Sequence, residues 1–362
     1  MDIFDDIRPY TDTEIPEAMK RIARWDLLPQ ILKFIYPNMS TAEGYSRLRS
    51  LSSVSQLQST FMDDAICRII EETTSSFTHS GLSHLRRGKA YLFVSNHRDI
   101  TLDAFLLQHL LVHHGGNTSH IVFGENLLAN PVIEDLFRSN KLIRMKRSDT
   151  PRAFYESLHH LSQYLNHLIA DMHQSVWIAQ KNGRAKDGRD TTAPAMLKML
   201  TLGSTQPPLQ TLEAMHIVPV SVSYEWDPCD SRKAAELAKS QNGTYHKSEN
   251  EDLKSVITGI IGPKGHVHLA IGQPLKAHEL QPPAGVDLFE HVAATIDRHI
   301  HSNYRLMPTN HAAHDLIGNR PPSRHYTRQT LDQLKTRADS LPSPEMRRLL
   351  LEAYAAPVDA RR

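Results

Sequence analysis

LFVSNHRDITLDAFLL, residues 92–107, contains the most informative pattern in the sequence. A short apolar run ends in a polar joint, and a second apolar run begins at Leu102. The first run has the length and composition of a buried strand, and the second is long enough to form a helix. His97, Asp99 and Asp103 lie in or beside the joint. Because ligands gather at the carboxyl ends of strands in open α/β sheets, the joint predicts a functional site.

The change from strand to helix recurs along the chain on both sides of this stretch. Segments with helical spacing separate the strand-like segments, which indicates a mostly parallel central sheet flanked by helices. The sequence therefore predicts an α/β domain at residues 85–275. The strand-like segments are AYLFVS (90–95), SHIVFG (119–124), KLIRMKR (141–147), SVWIAQ (175–180), HIVPVSVSYEW (216–226) and GHVHLAIGQPL (265–275).

Helical patterns without strands continue on either side of the predicted domain. Residues 1–84 are expected to form an N-terminal helical region, and residues 276–362 a C-terminal helical extension. Apolar residues at helical spacing predict helices over 13–36, 54–77, 287–301 and 326–356. The stretch 308–325 is rich in Pro, Asn and Arg and is expected to be an exposed connection.

The overall composition excludes several classes of function. Lys plus Arg number 41 and Asp plus Glu 40, which argues against general nucleic-acid binding. The two cysteines, Cys67 and Cys229, have no CxxC partners, so neither a disulfide framework nor a zinc site is predicted. The 22 histidines lack the HExxH or Cys/His spacing of a metal site, and we expect no metal.

The N-terminal region bears on the location of the protein. No secretory signal is expected, and no apolar stretch approaches the ~18–20 residues of a membrane span. Residues 13–36 carry basic side chains near an apolar face, and Trp25 lies within them. This pattern is typical of a helix in a membrane interface, and equally of a helix packed on the main domain.

The polar joint contains groups suited to general base catalysis. A carboxylate that accepts the Nδ1 proton of His97 would leave Nε2 free to take a proton from a substrate hydroxyl. Asp103, at the start of the next helix, and Asp99 compete for this orienting role. Asn96 and Arg98 are expected to brace the turn or bind an anion. The HRD triplet also occurs in protein kinases, but Ala104 occupies the position of the kinase asparagine, which excludes a kinase.

The stretch SNHRDITLD resembles the first block of the glycerolipid acyltransferases, the lysophosphatidic-acid acyltransferase superfamily. Four residues usually separate the His and Asp of that block, and here five separate His97 from Asp103. This spacing resembles a bacterial branch of the superfamily with an NHRDIxLD version. The resemblance implies the acyltransferase α/β fold, with His97 and Asp103 as the candidate catalytic pair.

A second resemblance concerns KLIRMKRSDTPR, residues 141–152, which is similar to the end of the family's second block. In the family this block ends in an arginine that contacts the acceptor phosphate, which implies that role for Arg147, with Lys146 next. The start of the same block resembles FGENLLANP, and Gly124 and Glu125 are candidates at the rim of the sheet.

The stretch WIAQKNGRAKDGRD, residues 177–190, resembles the third block, in which a Glu-Gly pair and an arginine line the acceptor site. The resemblance implies that role for Gly183 and Arg184, while Asn182 takes the place of the glutamate. The strand IVPVSVSYEW resembles the fourth block, and Tyr224 near its end is expected either in the core or at a cap, or as a lining residue of the site.

Together these features predict an O-acyltransferase similar to 1-acylglycerol-3-phosphate O-acyltransferases. The acyl donor would be acyl-CoA or acyl-carrier protein, the acceptor a lysophospholipid, and no cofactor would be needed. The expected partners include a membrane surface but no nucleic acid. The expected location is cytoplasmic, peripheral on the inner face of the bacterial cell membrane. Two alternatives remain: a lysophospholipase or thioesterase-type hydrolase, and a catalytically silent lipid-binding protein.

Overall fold

The computed structural model describes residues 3–115, 117–125, 130–147, 150–241, 243, 245, 248 and 250–361. Within these residues one seven-stranded sheet forms the centre of the molecule. Its strands are β1 (Thr74–Ser80), β2 (Leu92–Ser95), β3 (His120–Gly124), β4 (Leu142–Met145), β5 (Val176–Ala179), β6 (Ile217–Tyr224) and β7 (Gly265–Ile271).

The strand order across the sheet is β1-β7-β6-β2-β5-β3-β4. Strand β2 pairs in parallel with β5 and β6, and β3 pairs in parallel with β4 and β5. Only the β6–β7 pairing is antiparallel among the described strands. The predicted fold class, a mostly parallel sheet with helices around it, is therefore confirmed. Strand β2 lies in the middle, so the joint that follows it opens at the centre of the carboxyl edge.

Helices surround the sheet and continue beyond it at both ends of the chain. A π-helical turn, Leu57–Met62, joins α4 to α5 without a break. The helices are α1 (Ile15–Ile22), α2 (Leu28–Ile35), α3 (Thr41–Arg49), α4 (Val54–Gln56), α5 (Asp63–Thr73), α6 (Leu102–His113), α7 (Pro131–Ser139), α8 (Pro151–Asn166), α9 (Pro194–Thr201), α10 (Pro208–Ala214), α11 (Asp230–Gln241), α12 (Glu251–Ile261), α13 (Ala277–Leu280), α14 (Leu288–Asn303), α15 (Pro308–Ile317), α16 (Arg328–Asp339) and α17 (Pro344–Asp359).

The two faces of the sheet bury separate apolar cores. Because side chains alternate along a strand, Leu92 and Val94 enter one core, while Phe93 enters the other. Trp177 of β5 lies on the Phe93 side and is 1 % exposed. Helix α6 packs on this same face through Phe105 and its neighbours. The fold thus presents the first turn of α6 to the end of β2.

Two sequence predictions outside the predicted α/β domain were wrong. The helix predicted over 54–77 ends at Thr73, and β1 follows and pairs in parallel with β7. The stretch expected to be an exposed connection contains the largely buried helix α15. The helical prediction over 326–356 is confirmed, and two helices, α16 and α17, form this region. Strand β1, TSSFTHS, has one large apolar residue, which suffices at the edge of a sheet but gives no strand pattern.

The N-terminal helices use their apolar face for packing within the protein. Ile15, Met19 and Ile22 of α1 are at most 2 % exposed and belong to a core shared with α2 to α5. This arrangement matches the packed-helix interpretation of residues 13–36. Among the described residues, none of the helices combines the length and hydropathy that a bilayer span requires.

Candidate active site

His97 lies two residues beyond the end of β2, and three neighbouring residues hold it in place. Its backbone carbonyl accepts a hydrogen bond of 2.7 Å from the backbone N–H of Ala185, in the loop after β5. Its ring packs edge-on against Trp177, with ring centroids 5.8 Å apart and an interplanar angle of 73°. The side chain keeps 14 % exposure, so a substrate can reach a ring that cannot turn freely.

Asp103 fixes the orientation of the imidazole. Oδ2 of Asp103 lies 3.0 Å from Nδ1 of His97 and also accepts hydrogen bonds from the backbone N–H groups of Arg98 and Asp99, at 2.6 and 2.9 Å. The other carboxylate oxygen, Oδ1, accepts a hydrogen bond of 2.9 Å from the hydroxyl of Tyr224. A carboxylate with these donors accepts the Nδ1 proton, which leaves Nε2 as the ring nitrogen that can take a proton from a substrate.

Asp99, the other acid considered as the partner of His97, instead binds backbone N–H groups. Its Oδ1 accepts hydrogen bonds of 2.9 Å from the backbone N–H groups of Thr101 and Leu102, at the start of α6. Burial raises the pKa of Asp99, and the negative charge of Asp103 raises it further. Asp99 therefore caps the helix that carries Asp103, and of the two acids Asp103 is the one hydrogen-bonded to His97.

Tyr224, for which the sequence left a place in the core, at a cap or in the lining of the site open, lies beside Asp103. It is the last residue of β6, the strand next to β2, and its hydroxyl hydrogen-bonds to Asp103 at the start of α6. Burial raises the pKa of Tyr224 well above 10, and the charges of Asp103 and Asp99 add to the effect. The phenol therefore stays protonated and acts as a donor to Asp103.

Asn96 and Arg98 brace the joint. The amide nitrogen of Asn96 donates to Val222 O at 3.0 Å and to Oδ2 of Asp190 at 3.1 Å. Nη2 of Arg98 donates to the same Asp190 oxygen at 2.6 Å and to Gly188 O at 3.0 Å. The predicted contact of Arg98 with substrate stays a prediction, but its 8 % exposure and its ion pair favour bracing over anion binding.

The loop after β5 carries Arg184 next to Ala185, whose backbone N–H donates to the carbonyl of His97. Gly183 has φ of +79° with open space around it, so the backbone angle and not crowding favours glycine there. Nη2 of Arg184 donates to the Oγ of Ser255 at 3.4 Å, and its Nη1 is buried without a hydrogen-bond partner among the described residues. A buried guanidinium nitrogen without an acceptor is suited to an anionic ligand. Asn182 is exposed at the tip of the loop.

The other predicted phosphate contacts lie at the far side of the same edge. They follow β3 and β4, and β4 is three strands from β2, about 14 Å at the usual strand spacing. Nζ of Lys146 forms an ion pair of 2.6 Å with Asp6, while the Arg147 side chain is exposed. Glu125, next to Gly124, accepts a hydrogen bond from the backbone N–H of Arg147. The structure therefore places these residues on the carboxyl edge but groups only Arg184 with the His97 turn.

Helix α12, which the sequence analysis did not predict, closes one side of the site. Its Ser255 contacts Arg184. Its Gly259 packs so tightly on Asp99 that an added Cβ would lie 2.1 Å from Oδ2 of Asp99. The glycine itself is the sequence feature that could have indicated the close approach of another group to this helix.

Part of the chain is similar to a known protein family. Residues 76–223 match the sequence model of the Acyltransferase family. These residues form an Acyltransferase domain. The predicted membership of the glycerolipid acyltransferase superfamily is thereby confirmed for this part of the chain, and the domain supports an acyltransferase activity in lipid metabolism. The matched range runs from β1 into β6 and contains His97, Asp103 and Arg184.

One similar solved structure is the crystal structure of the 1-acyl-sn-glycerophosphate (LPA) acyltransferase PlsC from Thermotoga maritima. The two chains are 14 % identical, and the match has a TM-score of 0.40. It covers 79 % of this chain and 91 % of the other. No curated protein matches this chain significantly.

Proposed function

We propose that the protein transfers a fatty acyl group from an acyl thioester to a hydroxyl of a lysophospholipid or another glycerol-phosphate-type acceptor. The donor is acyl-CoA or acyl-carrier protein, and no further cofactor takes part. The observation that carries the proposal is the 3.0 Å contact between Nδ1 of His97 and Oδ2 of Asp103 within an Acyltransferase domain. Acylation of an alcohol needs a general base, and the contact orients the imidazole of His97 for that role through the carboxylate of Asp103.

In the proposed reaction, Nε2 of His97 removes the proton from the acceptor hydroxyl as its oxygen attacks the thioester carbonyl carbon. A carbon–oxygen bond forms, and the carbon–sulfur bond breaks. The leaving thiolate takes the proton back from the imidazolium, so the products are an ester, a free thiol and a neutral histidine. General base catalysis of this kind contributes about 10²–10⁴-fold, and positioning of the acceptor contributes further.

Arg184 is the group proposed to hold the acceptor phosphate. Its buried, unpartnered Nη1 offers a donor, and the loop that carries it is tied to the His97 carbonyl through Ala185. Lys146, in contrast, is already paired with Asp6. A phosphate on Arg184 would hold a neighbouring hydroxyl of the same small headgroup close to the imidazole. The guanidinium fork matches phosphate oxygens better than a lysine would.

The membrane surface is proposed to meet α12 rather than the N-terminal helices. Leu253, Ile257 and Ile261 lie four residues apart on α12 and are 38, 46 and 62 % exposed. The opposite face of this helix carries Ser255 and Gly259, which contact site residues. Lipid that adsorbs to the exposed stripe is therefore one helix away from the site, while the apolar face of α1 is buried within the protein.

A product analysis tests the proposed function. The purified protein is incubated with mixed acyl-CoAs or acyl-carrier proteins, with and without lysophospholipids, and the products are identified by mass spectrometry. The proposal expects acylated lipid that forms only when the acceptor is present. Free fatty acid formed at the same rate without acceptor would instead indicate the hydrolase, and an intact thioester would indicate the silent lipid-binding protein.

A flotation assay with liposomes tests the membrane surface separately. Ile257→Asp should weaken binding to the liposomes, because it places a charge in the stripe. Ile317→Asp on α15 is the matched control, since both residues are 46 % exposed. Equal flotation of the two variants would remove α12 from the proposal and leave the chemistry of His97 unaffected.

A further inference from the structure

A second group of side chains with metal-binding chemistry lies away from His97. Asp63 and Cys67 are four residues apart on α5, and His109 and His113 are four residues apart on α6. Residues at this spacing share one helix face, and the two helices pack together, so the pairs point at each other. The sequence analysis expected no metal, because neither pair belongs to a known metal motif.

The four ligand atoms are close enough to surround one ion. Oδ1 of Asp63 lies 2.7 Å from Nδ1 of His109, and Oδ2 of Asp63 lies 2.9 Å from Nε2 of His113. The Sγ of Cys67 lies 4.0 Å from Oδ2 of Asp63. All four atoms lie within 4.8 Å of one another. Zinc with bonds of about 2.0–2.3 Å holds tetrahedral ligands about 3.3–3.8 Å apart, so small side-chain movements would complete the shell.

We propose that Asp63, Cys67, His109 and His113 form a binding site for a divalent transition-metal ion, with zinc the best fit. Two imidazoles, a thiolate and a carboxylate form a ligand set of mixed hardness that suits zinc and its Irving–Williams neighbours better than magnesium or calcium. Four protein ligands leave no open position, which is the arrangement of structural zinc sites.

The proposed ion would connect the N-terminal helical region to the helix that positions the base. His109 is six residues beyond Asp103 on α6, about 9 Å along the helix axis. The ion would clamp α5 to α6 without contact with the substrate. It therefore affects the stability of the fold and the rigidity of the Asp103 helix, and the proposal does not depend on which acyl transfer the protein performs.

Cobalt titration of the tag-free, metal-free protein tests the site. The proposal expects one Co²⁺ per chain, with the visible absorption of a tetrahedral ion, a thiolate-to-cobalt charge-transfer band, and loss of both bands on addition of Zn²⁺. Absence of the charge-transfer band would exclude Cys67 as a ligand and overturn the proposed ligand set. Zinc should also raise the thermal unfolding midpoint of the wild-type protein.

Matched variants separate this site from weak binding by other histidines in a chain that contains 22. His113→Ala removes a ligand whose side chain is 57 % exposed, so the fold should tolerate it. It should lower cobalt affinity by at least about tenfold, since even outer-shell partners are worth about 10–100-fold. His114→Ala, one residue away, should leave affinity and the zinc-dependent stabilisation unchanged. Equal affinity of the two variants would show that the four side chains form only a hydrogen-bonded network.

Discussion

The hydroxyl of Tyr224 donates a 2.9 Å hydrogen bond to Oδ1 of Asp103, the oxygen that does not face His97. Strand β6 thereby positions the carboxylate of Asp103, which in turn orients the imidazole of His97. In the proposed mechanism, Tyr224 acts through Asp103 to position the base. Its influence on the chemistry should therefore reach the substrate only through Asp103 and His97.

The Tyr224→Phe variant tests this influence. Loss of a hydrogen bond to a charged acceptor is worth about 1.5–3 kcal/mol, so kcat should fall by about tenfold or more while KM for the acceptor stays the same. Tyr91→Phe is the control, because Tyr91 is similarly buried at the opposite end of β2 and its hydroxyl accepts from the backbone N–H of Arg86. A KM effect in Tyr224→Phe, or an equal loss of kcat in both variants, would contradict the positioning role.

The two acids of the joint should respond differently to amidation. Asp103→Asn places a weaker acceptor, or an N–H donor, against Nδ1 of His97, and we expect a loss of kcat of about 10³-fold or more, as for a base held in the wrong tautomer. Asp99→Asn keeps the oxygen that caps α6 and removes a buried charge, so activity should stay within about tenfold of wild type. Steady-state kinetics of both variants decide the assignment, and the reverse order of losses would transfer the role to Asp99.

The proposed contact of Arg184 with the acceptor phosphate predicts a change in acceptor affinity. Arg184→Ala should raise KM for a phosphate-bearing acceptor by about 10²-fold, since charge-assisted hydrogen bonds are worth roughly 1.5–3 kcal/mol each. Arg184→Lys should recover part of the loss. Lys146→Ala should cause a much smaller change in KM, because the ammonium group of Lys146 is already paired with Asp6. The measurement is KM with a lysophospholipid at saturating donor, and a larger effect of Lys146→Ala would move the phosphate to the β4 side of the edge.

Acid stability should depend on His120 of β3. Burial lowers the pKa of His120 to about 3, with a smaller contribution from Lys141, against an ordinary value of about 6.5. The folded state therefore binds this proton less readily than the unfolded state. The resulting stability is present above about pH 6.5 and is lost as the pH falls towards 3, by about 2–3 kcal/mol between pH 7 and pH 4.5.

Urea unfolding at pH 7 and pH 4.5 measures this loss. His120→Leu should lose less stability than the wild type over that interval, since it has no imidazole to protonate. His278→Leu, at an exposed histidine, serves as the control and should follow the wild type. The same acid-induced loss in all three proteins would show that other groups govern the acid transition.

Part of this site could be predicted from the sequence because the deciding residues are close together in the chain. A strand, a turn and a helix within residues 92–107 bring His97 and Asp103 together without any long-range information. The carboxyl edge also follows from the alternation of strands and helices. The sequence favoured Asp103 over Asp99 as the partner of His97, but the decision between them depends on which acid the backbone turn directs at Nδ1.

The rest of the site depends on tertiary contacts that leave little trace in the sequence. Tyr224 reaches Asp103 only because β6 lies beside β2, and its apolar strand gave no sign of this contact. For Arg98 the sequence left both bracing of the turn and anion binding open, and the ion pair that favours bracing is made with Asp190, far along the chain. The Asp63–Cys67 and His109–His113 pairs become a cluster only when α5 packs on α6. Sequence spacing identifies a helix face but does not identify the face that opposes it.

The acyl-transfer activity of His97→Ala tests the role of this imidazole, and it is measured as kcat/KM with the donor and acceptor that the wild-type protein uses. We expect a loss of about 10²–10⁴-fold, with unchanged far-ultraviolet circular dichroism and unchanged unfolding, because the His97 side chain lies at the rim of the sheet. Transfer at the wild-type rate by the correctly folded variant would contradict the central claim that this imidazole is the base.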